Sequence, residues 1–314
     1  MSDKPCDDLS GTCDQYPACV CGRAWKAHEA KLRKSTLKPE RKDDMSMCIY
    51  HGNCADGFGA AWVVRKALGE IDFHSGKYQE APPDVAGKDV VMVDFSYKRS
   101  VLLEMAEKAN SILILDHHKT AVEDLIDLPT NVTAKFDMSR SGAMLTWEHF
   151  FPGEEPPPLL LHIEDRDLWR FALQNTRQIQ ANVLSFPYDF QVWDTLMAAA
   201  PATLAAEGEA IERKHFKDIR ELLGVTTRDM VIGGHRVPVA NLPHTMSSDA
   251  GHELAKGRPF AACYWDTPEG RVFSLRSSDD GADVAEVAKQ YGGGGHRNAA
   301  GFRVSFAQAQ AFEV

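Results

Sequence analysis

The sequence predicts an α/β protein: a domain built on a parallel sheet, then a smaller α/β domain, with a cysteine-rich appendage in front. Three observations carry that reading. Short, wholly apolar runs alternate with helix-like segments from Met47 onward. The composition changes near Asp229 to short strand-like runs and a glycine tract. Residues 1–45 hold Cys6, Cys13, Cys19 and Cys21, followed by a basic stretch from Lys31 to Lys42.

Taken in order, Met47 to Tyr50 is a short apolar strand, Asn53 to Gly59 a glycine-containing turn, and Ala60 to Leu68 a helix. Val90 to Val93 is a buried strand ending at Asp94. Ser100 to Ala109 has helical spacing, and Ile112 to Leu115 is a strand ending at Asp116. Continuous apolar strands separated by helices indicate a parallel sheet covered on both faces. A proline-rich loop, Gly153 to Pro158, precedes a helix over 159–173. Thr203 to Leu223 is a long polar helix that connects two domains. Beyond it, Val231–Ile232, Val237 to Ala240 and Val272 to Leu275 read as strands, and Asp283 to Gln290 as a helix leading into four glycines, Gly292 to Gly295. The expected divisions are 1–45, 46–202, 203–228 and 229–314.

Composition narrows the function. At 44% apolar and 25% charged residues the chain is globular in character. No apolar run reaches the roughly 20 residues of a membrane span, and residues 1–5 are polar, so a cytoplasmic, soluble protein is expected. The formal net charge of -10 argues against a broad surface for long duplex nucleic acid but not against a short phosphorylated ligand. Seven cysteines without a secretion signal do not form a disulfide framework. Cys6, Cys13, Cys19 and Cys21 with His28 make either a structural zinc site or an unliganded appendage.

His51, Asp94 and Asp116 each follow a strand-like run. Ligands of open parallel sheets bind outside the carboxyl ends of the strands, so three segments deliver metal-type ligands to one edge. Asp116-His117-His118 combines oxygen and nitrogen donors suited to a divalent transition metal, although the same triplet also reads as a polar, helix-capping turn. His51 and Asp56 flank a glycine turn into a helix. Asp165 is either a ligand or a helix-surface charge paired with Arg166. In the second domain, successive glycine amides with His296 and Arg297 suit a phosphate, and Arg276 suits bidentate pairing with one. Trp169 and Phe171 are either base-stacking or core residues.

Taken together and in order, these motifs resemble those of the DHH/DHHA1 phosphoesterase superfamily. The resemblance runs from Cys48 to Val304. His51 with Asp56-Gly57 resembles the first motif, Asp94 the second, Asp116-His117-His118 the third and Asp165 the fourth. Ser274 to Ser277 and the Gly-Gly-Gly-Gly-His-Arg-Asn-Ala-Ala-Gly stretch ending at Gly301 resemble the DHHA1 subtype. The resemblance implies two Mn2+ ions, with Mg2+ or Co2+ as substitutes. Asp94 would bridge them, and His51, Asp56, His117 and Asp165 would be further ligands. Asn53 stands where members carry a first aspartate. It implies catalytic roles for Asp116, His117 and His118, with His118 supporting the site or contacting phosphate. Arg276, Ser277, Gly293, Gly294, Gly295, His296 and Arg297 would bind substrate.

The expected activity is end-directed hydrolysis of short oligonucleotides to mononucleotides. Two alternatives stay open: hydrolysis of small nucleotides (cyclic dinucleotides, their linear products or 3'-phosphoadenosine 5'-phosphate), and a weakly active nucleotide-binding protein, suggested by Asn53. A homodimer is compatible with the sequence.

Overall fold

A computed structural model describes residues 46–313. The cysteine cluster with His28, and the zinc expectation attached to it, lies outside the described residues.

The first sheet is wholly parallel, in the order β2-β1-β3-β4-β5. Its strands are β1 (Ser46–His51), β2 (Asp72–Gly76), β3 (Asp89–Val93), β4 (Ser111–Asp116) and β5 (Val132–Phe136). The helices are α1 (Ala55–Leu68), α2 (Arg99–Ala106), α3 (Lys119–Asp124), α4 (Gly142–Phe150), α5 (Pro158–Asp167), α6 (Thr176–Val183) and α7 (Phe190–Ala198). In β4, Ile112 and Ile114 enter one core with Met92, Phe95 and Leu102. Leu113 and Leu115 enter the opposite core with Phe58, Trp62, Leu145 and Trp193. Both faces are therefore buried, which is why the strand is apolar at every position rather than at alternate ones.

α8 (Pro201–Thr226), a 26-residue helix, leads to the second sheet. Ile219 packs there against Ala240 and Leu242. The second sheet runs β10-β11-β9-β8-β7-β6, with β6 (Thr227–Ile232), β7 (His235–Asn241), β8 (Ala261–Thr267), β9 (Gly270–Arg276), β10 (Gly294–His296) and β11 (Ala299–Val304). Only the β7–β8 pair is parallel. α9 (Ser247–Ala255), α10 (Val284–Lys289) and α11 (Phe306–Gln310) complete this half, whose core is centred on Phe260, Phe273, Leu275 and Phe302.

Five strands, β2, β5, β8, β10 and β11, have no counterpart in the sequence reading. β2 and β5 are edge strands, polar on one side, which weakens the apolar signal. The helix expected over 159–173 stops at Asp167. Asp165 ends it: its carboxylate accepts from the amides of Ala172 (2.8 Å) and Leu173 (3.1 Å) and from Thr176 Oγ1 (2.6 Å). That capture folds 168–175 into a loop with Trp169 and Phe171 at φ of 55° and 47°. The left-handed region is unusual for aromatic residues.

Candidate metal centre at the sheet edge

Four segments at the carboxyl ends of β1, β3 and β4 and of α5 supply the cluster. His51 closes β1, and the chain turns directly into α1, where Asp56 is buried in the first turn. The turn is tight enough that a Cβ on Gly57 would sit 2.2 Å from the His51 carbonyl oxygen, so only glycine fits. Asp94 follows β3 with φ of 54°, a conformation that costs energy in a non-glycine residue and is held here by the packing around it. Its carboxylate lies between two histidines, 3.0 Å from His117 Nε2 and 3.4 Å from His51 Nδ1. His117 Nε2 also lies 3.7 Å from Asp56 Oδ2 and 3.5 Å from Asp167 Oδ2.

Two donor groups share Asp94 (His51, Asp94 and His118 on one side, and Asp56, Asp94 and His117 on the other), and a third joins His117, His118 and His296. Three carboxylates, Asp56, Asp94 and Asp167, converge in a buried space. Burial, then repulsion from Asp94 and Asp167, pushes the Asp56 pKa well above the carboxylate range. Burial raises Asp167 too. For Asp94 burial acts in the same direction, but hydrogen bonds and charge from His117 and His51 overcome it and hold the pKa well below the ordinary value. Asp94 Oδ2, His117 Nδ1 and Asp167 Oδ2 are buried without a hydrogen-bond partner. Orphaned buried donors and acceptors are costly. Mixed carboxylate and imidazole donors around them fit divalent cations such as Mn2+.

Asp116 does not join the cluster. Its Oδ1 accepts from the His117 amide (2.7 Å) and meets His118 Nδ1 (2.7 Å), and its Oδ2 accepts from Ser96 Oγ (2.6 Å). Both oxygens are therefore committed to the protein. The expected catalytic role becomes a positioning one, in which Asp116 fixes the His118 ring and leaves Nε2 outward. With His118 charge and the Ser96 bond acting against burial, its pKa falls to about 2.

Two further expectations change. Asp165 is engaged with the loop after α5, so the carboxylate at the cluster is Asp167. Asn53 is exposed at φ of 55° and takes no part in the cluster. Cys54 instead stands beside His51, within electrostatic reach of Asp94 and Asp167. The basis for a weakly active protein was a defective Asn53 position, and that basis falls away.

Sequence reasoning also missed the N-terminus of α4. Gly142 N donates to Asp56 Oδ2 (2.5 Å) and Ala143 N to Oδ1 (3.1 Å). A Cβ at Gly142 would lie 2.4 Å from Asp94 Cβ, so any side chain there would displace the cluster.

The second sheet meets the first at this edge. The His296 ring stacks on His118 (4.5 Å between centroids, 20°) and lies 4.7 Å from His117. Burial, then the charges of His118 and His117, lowers its pKa well below the usual value. Lys119 pairs with Asp283 (2.7 Å), Lys289 pairs with Glu123, and Gly295 N donates to Thr120 Oγ1 (3.3 Å), which draws β10 onto α3. The glycine amides are not a free cradle. Gly292 N and Gly293 N donate to Lys289 and Ala288 carbonyls (3.0 Å each). The tract instead permits close packing, since a Cβ on Gly293 would meet the Gly301 carbonyl oxygen at 2.1 Å and one on Gly294 would meet Thr120 Oγ1 at 3.0 Å. Arg297 is exposed and donates to the Gly281 carbonyl (3.3 Å), and Ser277 is buried against Asn298. Arg276 lies at the end of β9 with its Nε buried and unpaired. Trp169 is covered on one face by His252 of α9, at 3.6 Å and 9°.

The parallel sheet, the second sheet and the strand-end cluster together are similar to those of the DHH/DHHA1 phosphoesterases. No protein-family model matches the chain. It is 32% identical over 290 residues to an uncharacterized protein of Acanthamoeba polyphaga mimivirus, across 84% of this chain and 68% of that one. It is 24% identical over 297 residues to the oligoribonuclease NrnB of Bacillus subtilis, across 82% and 72%. Among solved structures, RecJ of Thermus thermophilus in complex with Mn2+ aligns with a TM-score of 0.51 at 16% identity, over 92% of this chain and 53% of that one, a likeness of fold. No helix among the described residues is long and apolar enough to cross a membrane.

Proposed function

We propose that the protein is a Mn2+-dependent phosphodiesterase that hydrolyses short oligonucleotides from an end, releasing mononucleotides. The observation that carries this reading is the pair of donor groups sharing Asp94, against which the second sheet sets His296. His51, Asp56, His117 and Asp167, with Asp94 between them, would hold the ions. Divalent ions so held supply Lewis acidity and a nucleophile at neutral pH.

The chain's own residues do the rest. Asp94, flanked by two histidines, stays ionised. Asp116 fixes His118 so that its Nε2 faces the scissile phosphate. His296, neutral and stacked on His118, can donate to a phosphoryl oxygen from the opposite wall. Lys119, Thr120 and Glu123 hold the second half close against this edge through Asp283, Gly295 and Lys289. That supports a substrate of few nucleotides rather than a long strand. Binding energy from units beyond the reacting phosphate can position it, which favours short chains with at least one further phosphate.

The test is hydrolysis of RNA and DNA from dinucleotide to about 24-mer, with Mn2+ or EDTA, alongside cyclic dinucleotides and 3'-phosphoadenosine 5'-phosphate. Mn2+-dependent cleavage fastest on two- to five-mers is expected. Turnover of the small nucleotides without any oligonucleotide cleavage would replace this reading with the small-nucleotide one.

A further inference from the structure

A third set of donors lies where the two halves meet, and it contains no carboxylate. One nitrogen each of His117, His118 and His296 falls within 4.8 Å of the other two. His117 and His118 follow β4 directly, and His296 ends β10 of the second sheet. Both sides are held in place by the fold. Asp116 Oδ1 meets His118 Nδ1 at 2.7 Å, the carboxylate-on-imidazole arrangement that orients histidines toward metals. His117 is 1% exposed and meets Asp94 through Nε2, while its Nδ1 is buried with no hydrogen-bond partner, a nitrogen that the Asp94 cluster does not use. On the other side, His296 is registered opposite Ala299 in the β10–β11 pair. Gly295 has φ of 140°, and a Cβ there would meet the Ala299 carbonyl oxygen at 2.6 Å. This tight hairpin, with the bond from Gly295 N to Thr120 Oγ1, holds the His296 backbone against the end of β4.

We propose that His117, His118 and His296 form an inhibitory binding site for Zn2+ that ties the two halves together. Three imidazoles without an oxygen donor favour a borderline-soft ion over Mn2+ or Mg2+. Three protein ligands with a fourth position for water are a common zinc arrangement. An imidazole lone pair lies in the plane of its ring, whereas the His118 and His296 rings stack within 20° of parallel. One ion therefore reaches both only after the His296 ring rotates out of its stack, while β10 stays in place. His117 is already inclined to both rings, by 62° to His118 and 52° to His296. The ion lies where His118 and His296 otherwise face the scissile phosphate, so Zn2+ competes with substrate. The inhibition rests on the phosphodiesterase reading, whereas the binding of the ion does not.

The experiment is calorimetric titration of zinc chloride into the full, Mn2+-saturated chain. The native chain should bind one Zn2+ more than His296→Ala, in which that affinity falls by about 100-fold or more, beyond the cost of losing an indirect metal partner. His296→Gln keeps a polar side chain of similar reach but is a poor zinc ligand. It should lose the same ion, and it guards against misfolding of the alanine variant. Asp94→Asn should retain the ion. Zinc taken up by the cysteines of residues 1–45 is common to all variants and cancels in the comparison. In the native chain Zn2+ should inhibit Mn2+-dependent hydrolysis, and raising the substrate concentration should relieve it. Equal zinc binding in the native chain and both His296 variants would overturn the site. Binding that depends on His296 without inhibition would overturn the inhibitory role. Hydrolysis of no phosphodiester would overturn the phosphodiesterase reading, and the calorimetry would still decide the site.

Discussion

The edge of the first sheet and the end of β9 are mirror images in charge. At the first, Asp56, Asp94 and Asp167 crowd together around histidines. At the second, the Arg276 guanidinium donates only to uncharged oxygens and leaves its Nε unpaired. Each arrangement is unfavourable by itself, and each is held by a fold stable enough to impose it. The difference lies in what would relieve them: cations at the carboxylates, an acceptor at the Arg276 guanidinium.

The comparison breaks most visibly at Asp94. Asp94→Asn removes the carboxylate shared by both donor groups and should reduce turnover by at least about 100-fold, the upper end of what losing even an indirect metal partner costs. Melting should show the metal-free fold retained, because a like charge has been removed. Next in size is a pH effect at the Trp169–His252 stack. Burial, chiefly, lowers the His252 pKa from 6.5 to about 4. The unfolded chain therefore binds the extra proton first as pH falls. The stabilisation is complete above pH 6.5 and is lost progressively down to about 4, by at most about 3 kcal/mol. His252→Gln should flatten that part of the stability profile in urea titrations.

Asp116→Asn should weaken Mn2+ binding and activity by about 10- to 100-fold, since it loosens His118 rather than deleting a ligand. Calorimetric Mn2+ titration separates this from Asp94→Asn. Cys54→Asp should change Mn2+ affinity by roughly tenfold, a smaller effect of the same kind, whereas Asn53→Asp should leave it unaltered. Equal responses at the two positions would return Asn53 to the site. Smallest of all, Lys289→Ala removes an exposed pair to Glu123 and should cost under about 1 kcal/mol of stability, a loss that salt masks.

The parallel sheet and the strand-end positions of His51, Asp94 and Asp116 were legible because buried strands are apolar at every residue and the polar residue that ends each is conspicuous. Sequence reasoning named Asp165 and did not consider Asp167, the carboxylate that the structure brings to the cluster, although a signal existed. Asp167 falls on the same helical stripe as Leu160 and Ile163, which face the core, whereas Asp165 lies on a different one. Cys54 carried a signal as well, standing two residues before Asp56. Asp116 could not be assigned from sequence, because only the partners of its two oxygens reveal that it holds His118 in place. Nor could the amides of Gly142 and Ala143, backbone groups brought in from more than eighty residues beyond Asp56. The glycine tract was read as a phosphate cradle because glycine amides serve there elsewhere, whereas here the missing side chains allow β10 to press against β11 and α3.

The most direct test of the shared-carboxylate site is the stoichiometry of Mn2+ binding to the full chain, followed by electron paramagnetic resonance, in the native protein and in Asp94→Asn. Two ions per chain with magnetic coupling between them, and loss of that coupling in Asp94→Asn, is the expected result. Uncoupled ions in the native chain, or a coupled pair that survives Asp94→Asn, would contradict it.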